Sequence, residues 1–150
     1  MTADKSIQVA PRPSACYVLA MESKDNDRLP DVWVRLAEAA GGSTMQALPA
    51  DLRDRLRDVP ILFENRPGPQ LLEDGWPDDL LGLFEGPCHG ERDTDNSILP
   101  PTITLFLANL RDEAGDDVAI FQQEVRTTLL HEIGHYLGLD EAGLVARDLE

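Results

Sequence analysis

Cysteine, basic residues, aromatic rings and long apolar runs are all scarce in this chain of 150 residues. Only Cys16 and Cys88 are present, too few for the disulfide framework of a small secreted domain, so reduced thiols and a cytoplasmic setting are expected. Thirteen Lys and Arg stand against 28 Asp and Glu, a formal net charge of −15. Such a field repels phosphate backbones and anionic lipid surfaces, so neither nucleic acid nor membrane is expected as a partner, and solubility is the simplest consequence of the charge. The apolar run from Ala15 to Met21 is too short and poorly flanked for a signal peptide. Nothing approaches the roughly 20 apolar residues of a membrane-spanning helix.

What is present reads as one domain behind an arm. Residues 1–28 mix Pro, Ser, Lys and Asp without sustained periodicity and are expected to form a loose N-terminal arm; residues 29–150 are expected to fold as a unit large enough to bury one core. Val32, Leu36 and Ala39 predict a first helix ending at Gly41-Gly42, and Leu48 to Leu56 a second that begins near Pro49. The period then changes. Pro60 to Glu64, Leu80 to Glu85 and Thr102 to Leu107 are strand candidates, separated by loops rich in Pro, Gly and Asp. From 117 to 137 the pattern predicts one long helix, capped by Asp116 or Asp117, with Val118, Phe121, Val125, Leu129 and Leu130 as its apolar stripe. Helices, then strands, then a long helix argue for an α+β fold, a small mixed sheet packed against that last helix.

That helix carries HEIGHYLGLDE. Residues four apart on an α-helix share a face, with Cβ atoms roughly 5–6 Å apart, so His131 and His135 can converge on one zinc ion at Zn–N distances of about 2.0–2.1 Å. Glu132 projects beside such an ion and can serve as general base to the water it activates. The histidines continue a strip through Glu124 and Thr128, away from the apolar stripe, so one face packs while another presents ligands.

Two imidazoles need a third ligand. Gly138 can take the positive φ that turns a chain sharply at a helix end, which brings Asp140 and Glu141 back toward the metal. Glu141 falls where the extended motif places its last ligand. Asp140 is the rival, although it also suits the N-cap of a final helix bearing Leu144, Val145 and Leu149. The chain runs only to Glu150, so no distant glutamate ligand on a further helix is expected. All three methionines lie upstream of the motif, so the methionine turn of metzincins is absent.

From about Asp31 onward the sequence resembles the small bacterial zincin-like metallopeptidases, or minimal zincins. The segments that carry the resemblance are VWVRLAEAA, LPADLRDRLRDVPILFENRP, LLGLFEG, LPPTITLFLANL and EVRTTLLHEIGHYLGLDEAGL, in the family's order. The resemblance implies a zincin-like fold, zinc held by His131, His135 and Glu141, and a catalytic Glu132. It also implies a peptide or protein substrate, and a sheet edge strand bordering the cleft. Two stretches depart from the family pattern, GGSTM and PCHGERDTDNS, and by composition both read as surface insertions.

Other residues have competing readings. LGLFEG could be the edge strand that receives a peptide, its glycines permitting close backbone approach, while Gly82 and Gly86 are more simply strand-end residues. Cys88 and His89 could approach the zinc, against the simpler reading of a solvated loop pair. Tyr136 could donate to an oxyanion, against a packing role, and Glu124 could orient a metal histidine, against an exposed helix charge. The expected activity is hydrolysis of a peptide bond by zinc-activated water. The alternatives are a non-catalytic binding module stabilised by zinc and a pseudoenzyme acting through a protein partner.

Overall fold

The computed structural model describes residues 29–89, 100–139 and 141–146, the last segment without the side chains of 141, 144 and 145. The expected arm, much of the PCHGERDTDNS segment and Asp140 lie outside the described residues. The elements run α1 (Asp31–Ala47), α2 (Ala50–Arg55), β1 (Ile61–Glu64), α3 (Pro69–Glu73), β2 (Gly82–Glu85), β3 (Thr102–Phe106), α4 (Leu107–Ala114), α5 (Val118–Tyr136) and α6 (Glu141–Ala146). This is an α+β architecture. The three strand candidates, the helix after Pro49 and the long helix are observed with small differences at their ends.

The sheet is mixed, in the order β1-β3-β2: β1 pairs parallel and β2 antiparallel with β3. The period-2 alternation of strands sorts its side chains onto two faces. Phe84, Ile103 and Leu105 join Ile61 and Phe63 on one face, which the helical layer covers; Leu83 and Phe106 point the other way into a smaller cluster with Leu71, Leu80 and Trp76 around α3. α5 packs on β2 and β3 and is flanked by α1 and α4. Phe84, Leu105, Phe121, Val125 and Leu129 are fully buried there. Each such side chain contributes about 1.5–3 kcal/mol relative to exposure, so this face holds the domain together.

Two expectations need correction. α1 does not stop at Gly41-Gly42 but runs to Ala47, with Leu48 and Pro49 following. Its buried face is Trp33, Ala37, Gly41 and Thr44, whereas Val32 is exposed, so the apolar stripe is phased differently from the Val32, Leu36 and Ala39 reading. Tertiary packing overrides the helix-breaking propensity here. A bare Cα at 41 lets α1 lie beside Phe63 and Leu129, and the Thr44 hydroxyl donates to the Ala40 carbonyl at 2.7 Å. GGSTM is therefore part of a helix with one buried face rather than a surface insertion. The second correction is α4, which begins immediately after β3 where only a strand was expected.

Candidate metal centre

α5 starts where Asp117 accepts a hydrogen bond from the Ile120 amide at 3.0 Å, a cap worth about 0.5–2 kcal/mol. Asp116 has φ +63° and instead pairs with Arg111 at 2.7 Å. The apolar stripe buries Phe121, Val125, Leu129 and Leu130, while Val118 at the first turn is exposed. The helix is thereby held in one rotation, and that rotation sets where the polar strip points.

The strip brings His131 and His135 together, with ring centroids 4.6 Å apart and planes at 76°. Their Nε2 atoms and both carboxylate oxygens of Glu132 are shielded from solvent, and Glu132 is wholly buried. Glutamate is rarely interred this deeply in a domain core, and a cation-binding site is one of the few settings that accounts for it. Two imidazoles one turn apart with a carboxylate beside them fit the donor chemistry of zinc. No group of three His, Cys, Asp or Glu side chains ready to hold a metal occurs among the described residues. Both candidates for the third ligand, Asp140 and the Glu141 side chain, lie outside them.

The turn that those candidates require is present. Gly138 has φ +74°, its amide donates to the His135 carbonyl at 3.0 Å, and the Leu139 amide donates to the Gly134 carbonyl at 2.9 Å. This paired closure is a Schellman motif, which ends the helix and reverses the chain. α6 then begins at Glu141 and packs against α5.

β2 lies at the sheet edge among the described strands and crosses the ligand strip at Gly82. The close approach that glycine permits is to α5 itself: a Cβ at 82 would stand 2.7 Å from the Thr128 methyl and 3.3 Å from Glu132 Cγ. Gly86, with φ +103°, terminates the strand. Beyond it, Cys88 Sγ donates to the His135 carbonyl at 3.4 Å, and the His89 amide donates to the Tyr136 carbonyl at 2.7 Å. The two residues thus close over the last turn of α5 and are not a simple solvated pair, although the His89 side chain is exposed. Tyr136 packs: its ring meets Phe84 at 5.6 Å and its hydroxyl donates to the Arg55 carbonyl at 3.3 Å.

Glu124 stands two helical turns, about 10 Å along the axis, before His131, too far to orient that imidazole directly. Partial burial, and then the neighbouring charge of Glu113, raise its carboxyl above the ordinary value. One polar hub escaped the sequence reading. Buried Asn109 donates to the carbonyls of Asp78 and Leu80, both at 2.8 Å, and accepts from Arg66 at 2.5 Å, while Arg66 also pairs with Asp112 at 2.9 Å. Its partners lie so far away in sequence that no local pattern marks it.

A family model described as zincin-like metallopeptidase matches residues 56–150, more than half of the chain and all of the sheet, α5 and its turn. A search of curated proteins found no significant match.

Proposed function

The chain belongs to the zincin-like metallopeptidase family, and on that premise we propose that it is a zinc-dependent peptidase using Glu132 as general base. The observation that carries this reading is the convergence, on one strip of α5, of two imidazoles 4.6 Å apart and a completely buried glutamate. His131 and His135 hold the ion, with Glu141 as third ligand and Asp140 as its rival. Zinc in that position supplies Lewis acidity, polarising a carbonyl and bringing the pKa of water toward about 7.

Glu132 receives the proton of the attacking water and delivers it to the departing amine. Its burial keeps bulk water away from that proton and strengthens every electrostatic interaction in the site. β2 is the edge strand among the described strands, so its outer side offers main-chain donors and acceptors on which a peptide substrate can dock as an added strand. His131 and His135 are only partly buried as residues, in contrast to the wholly buried Glu132.

The test is metal analysis of the purified protein with peptide-library cleavage by the native form, Glu132→Gln and His135→Ala. Zinc should raise the melting temperature of the native protein and of Glu132→Gln by ligand linkage, and should leave His135→Ala unmoved. Hydrolysis should fall by at least about a hundredfold in Glu132→Gln. Zinc retention in His135→Ala, or equal turnover with and without the Glu132 carboxylate, would refute the assignment. Zinc binding without turnover in the native protein would favour the binding-module alternative instead.

A further inference from the structure

Gly82 and Thr128 meet where β2 crosses α5, one helical turn below Glu132. A methyl group placed at 82 would fall 2.7 Å from Thr128 Cγ2, 3.2 Å from Leu105 Cδ2 and 3.3 Å from Glu132 Cγ. Thr128 is 6% exposed, and Leu105 and Glu132 are 0% exposed, so none of the three has open space behind it. Thr128 and Glu132 are four residues apart and therefore stacked on the same strip. A side chain at 82 would thus overlap the branched methyl of one and crowd the γ-methylene of the other, and the bare Cα of glycine leaves both in place.

The strand cannot readily retreat. Asn109 clamps the carbonyls of Asp78 and Leu80 just before it, the Phe106 amide donates to the Leu81 carbonyl at 2.9 Å, and Phe84 is seated against Tyr136. On the ladder Gly82, the first residue of β2, sits opposite Leu105. With the strand tied at both ends, extra volume at 82 falls first on Thr128, whose methyl stands nearest, and then on Leu105 and Glu132.

We infer that Gly82 and Thr128 are positioning residues for the base: together they form a seat that holds the γ-methylene of Glu132 and so aims its carboxylate. Neither touches the reacting atoms. The inference rests on the peptidase reading only for the word base; the mechanical coupling of the three residues is independent of it. Thr128→Ser keeps the hydroxyl and removes the methyl that obstructs position 82, so it is the substitution that should relieve Gly82→Ala.

Five proteins are needed: native, Gly82→Ala, Thr128→Ser, the double variant, and Glu132→Gln as the reference for the base. Each is measured by denaturant unfolding, zinc affinity against a competing chelator, the ¹³C carboxyl resonance of Glu132 (assigned by its loss in Glu132→Gln) and turnover of a peptide library. Gly82→Ala should raise the unfolding equilibrium constant by about tenfold or more, as overpacking does, and should displace the Glu132 resonance while zinc affinity holds. The rate constant kcat should drop by about a hundredfold with a misaimed base. In the double variant the resonance should return toward its native position, and most of the stability and the turnover should be regained.

Equal cost of Gly82→Ala in both backgrounds, or an unmoved Glu132 resonance, overturns the inference. Should Gly82→Ala fail to fold, the double variant must fold, and failure of both overturns it as well. If the native protein cleaves nothing yet the coupling and the resonance shift appear, the peptidase reading falls and the seat stands. If the native protein cleaves, Glu132→Gln does not and Gly82→Ala cleaves at the native rate, the seat falls and the peptidase stands.

Discussion

The two flanks of α5 are both approached by a glycine, and they are built to different tolerances. On the α1 side, a Cβ at Gly41 would rest 3.7 Å from Phe63 Cζ and 3.9 Å from Leu129 Cδ2, ordinary van der Waals contact. On the β2 side, the same atom at Gly82 would overlap Thr128. The loose flank carries only packing. The tight flank carries Thr128 and Glu132, and a methyl at 82 finds no room between them. Close tolerance is concentrated where the proposed chemistry is.

The sharpest test of this contrast is the same substitution on each flank. Gly82→Ala should destabilise the protein by about 1–3 kcal/mol through overpacking. Gly41→Ala sits within a helix at a site with room for a methyl, so it should stabilise by about 0.4–1 kcal/mol, chiefly by restricting the unfolded chain. Denaturant midpoints of the two variants measure both. Equal losses at 41 and 82 would erase the distinction between the flanks.

Asn109→Ala comes next in size where it is compared with the loose flank alone. It strips the Asp78 and Leu80 carbonyls just before β2 of their shared donor and Arg66 of one of its acceptors, a loss of about 1–3 kcal/mol. The consequence should be local as well as global: amide exchange should accelerate for residues 80–85 more than for α1. Uniform acceleration across both would mean that Asn109 supports the whole domain and not the strand that carries the tight flank.

The helix that carries the candidate site, and the pairing of His131 with His135 on it, were legible from sequence because their information is local. The four-residue spacing of His131 and His135, the Asp117 cap and the Phe121, Val125, Leu129 stripe are all read within one element, and the Gly138 turn follows from a single residue's conformational freedom. What failed was non-local. Gly41-Gly42 looks like a helix end until Phe63 and Leu129 are known to pack against it. α4 was hidden because its first residues prolong an apolar strand, and its N-cap, Phe106, has no side-chain cap to announce it. Asn109 reaches Arg66 across 43 positions and Leu80 across 29, separations that no periodicity can signal. Gly82 is the intermediate case: close approach was readable from the residue type, but its partner proved to be the protein's own helix.

The smallest expected effect concerns a third side of α5, where α4 brings Glu113 beside Glu124. Burial first, and the charge of Glu113 second, raise the folded-state pKa of Glu124 above its ordinary 4.5. A carboxyl whose pKa is raised by folding binds its proton more tightly in the native state, so its contribution to stability is most favourable below pH 4.5 and is lost as pH climbs through the raised value. Glu124→Gln should therefore stabilise the protein at pH 7, and this gain should fade to nothing as pH is lowered past the ordinary carboxylate range. In a Glu113→Gln background the gain should shrink without vanishing, because burial is the larger cause and persists. A gain that is constant with pH would show that packing, not charge, governs this side of the helix. A gain as large as the loss at Gly82→Ala would place the strain of α5 on its α4 side instead of against β2.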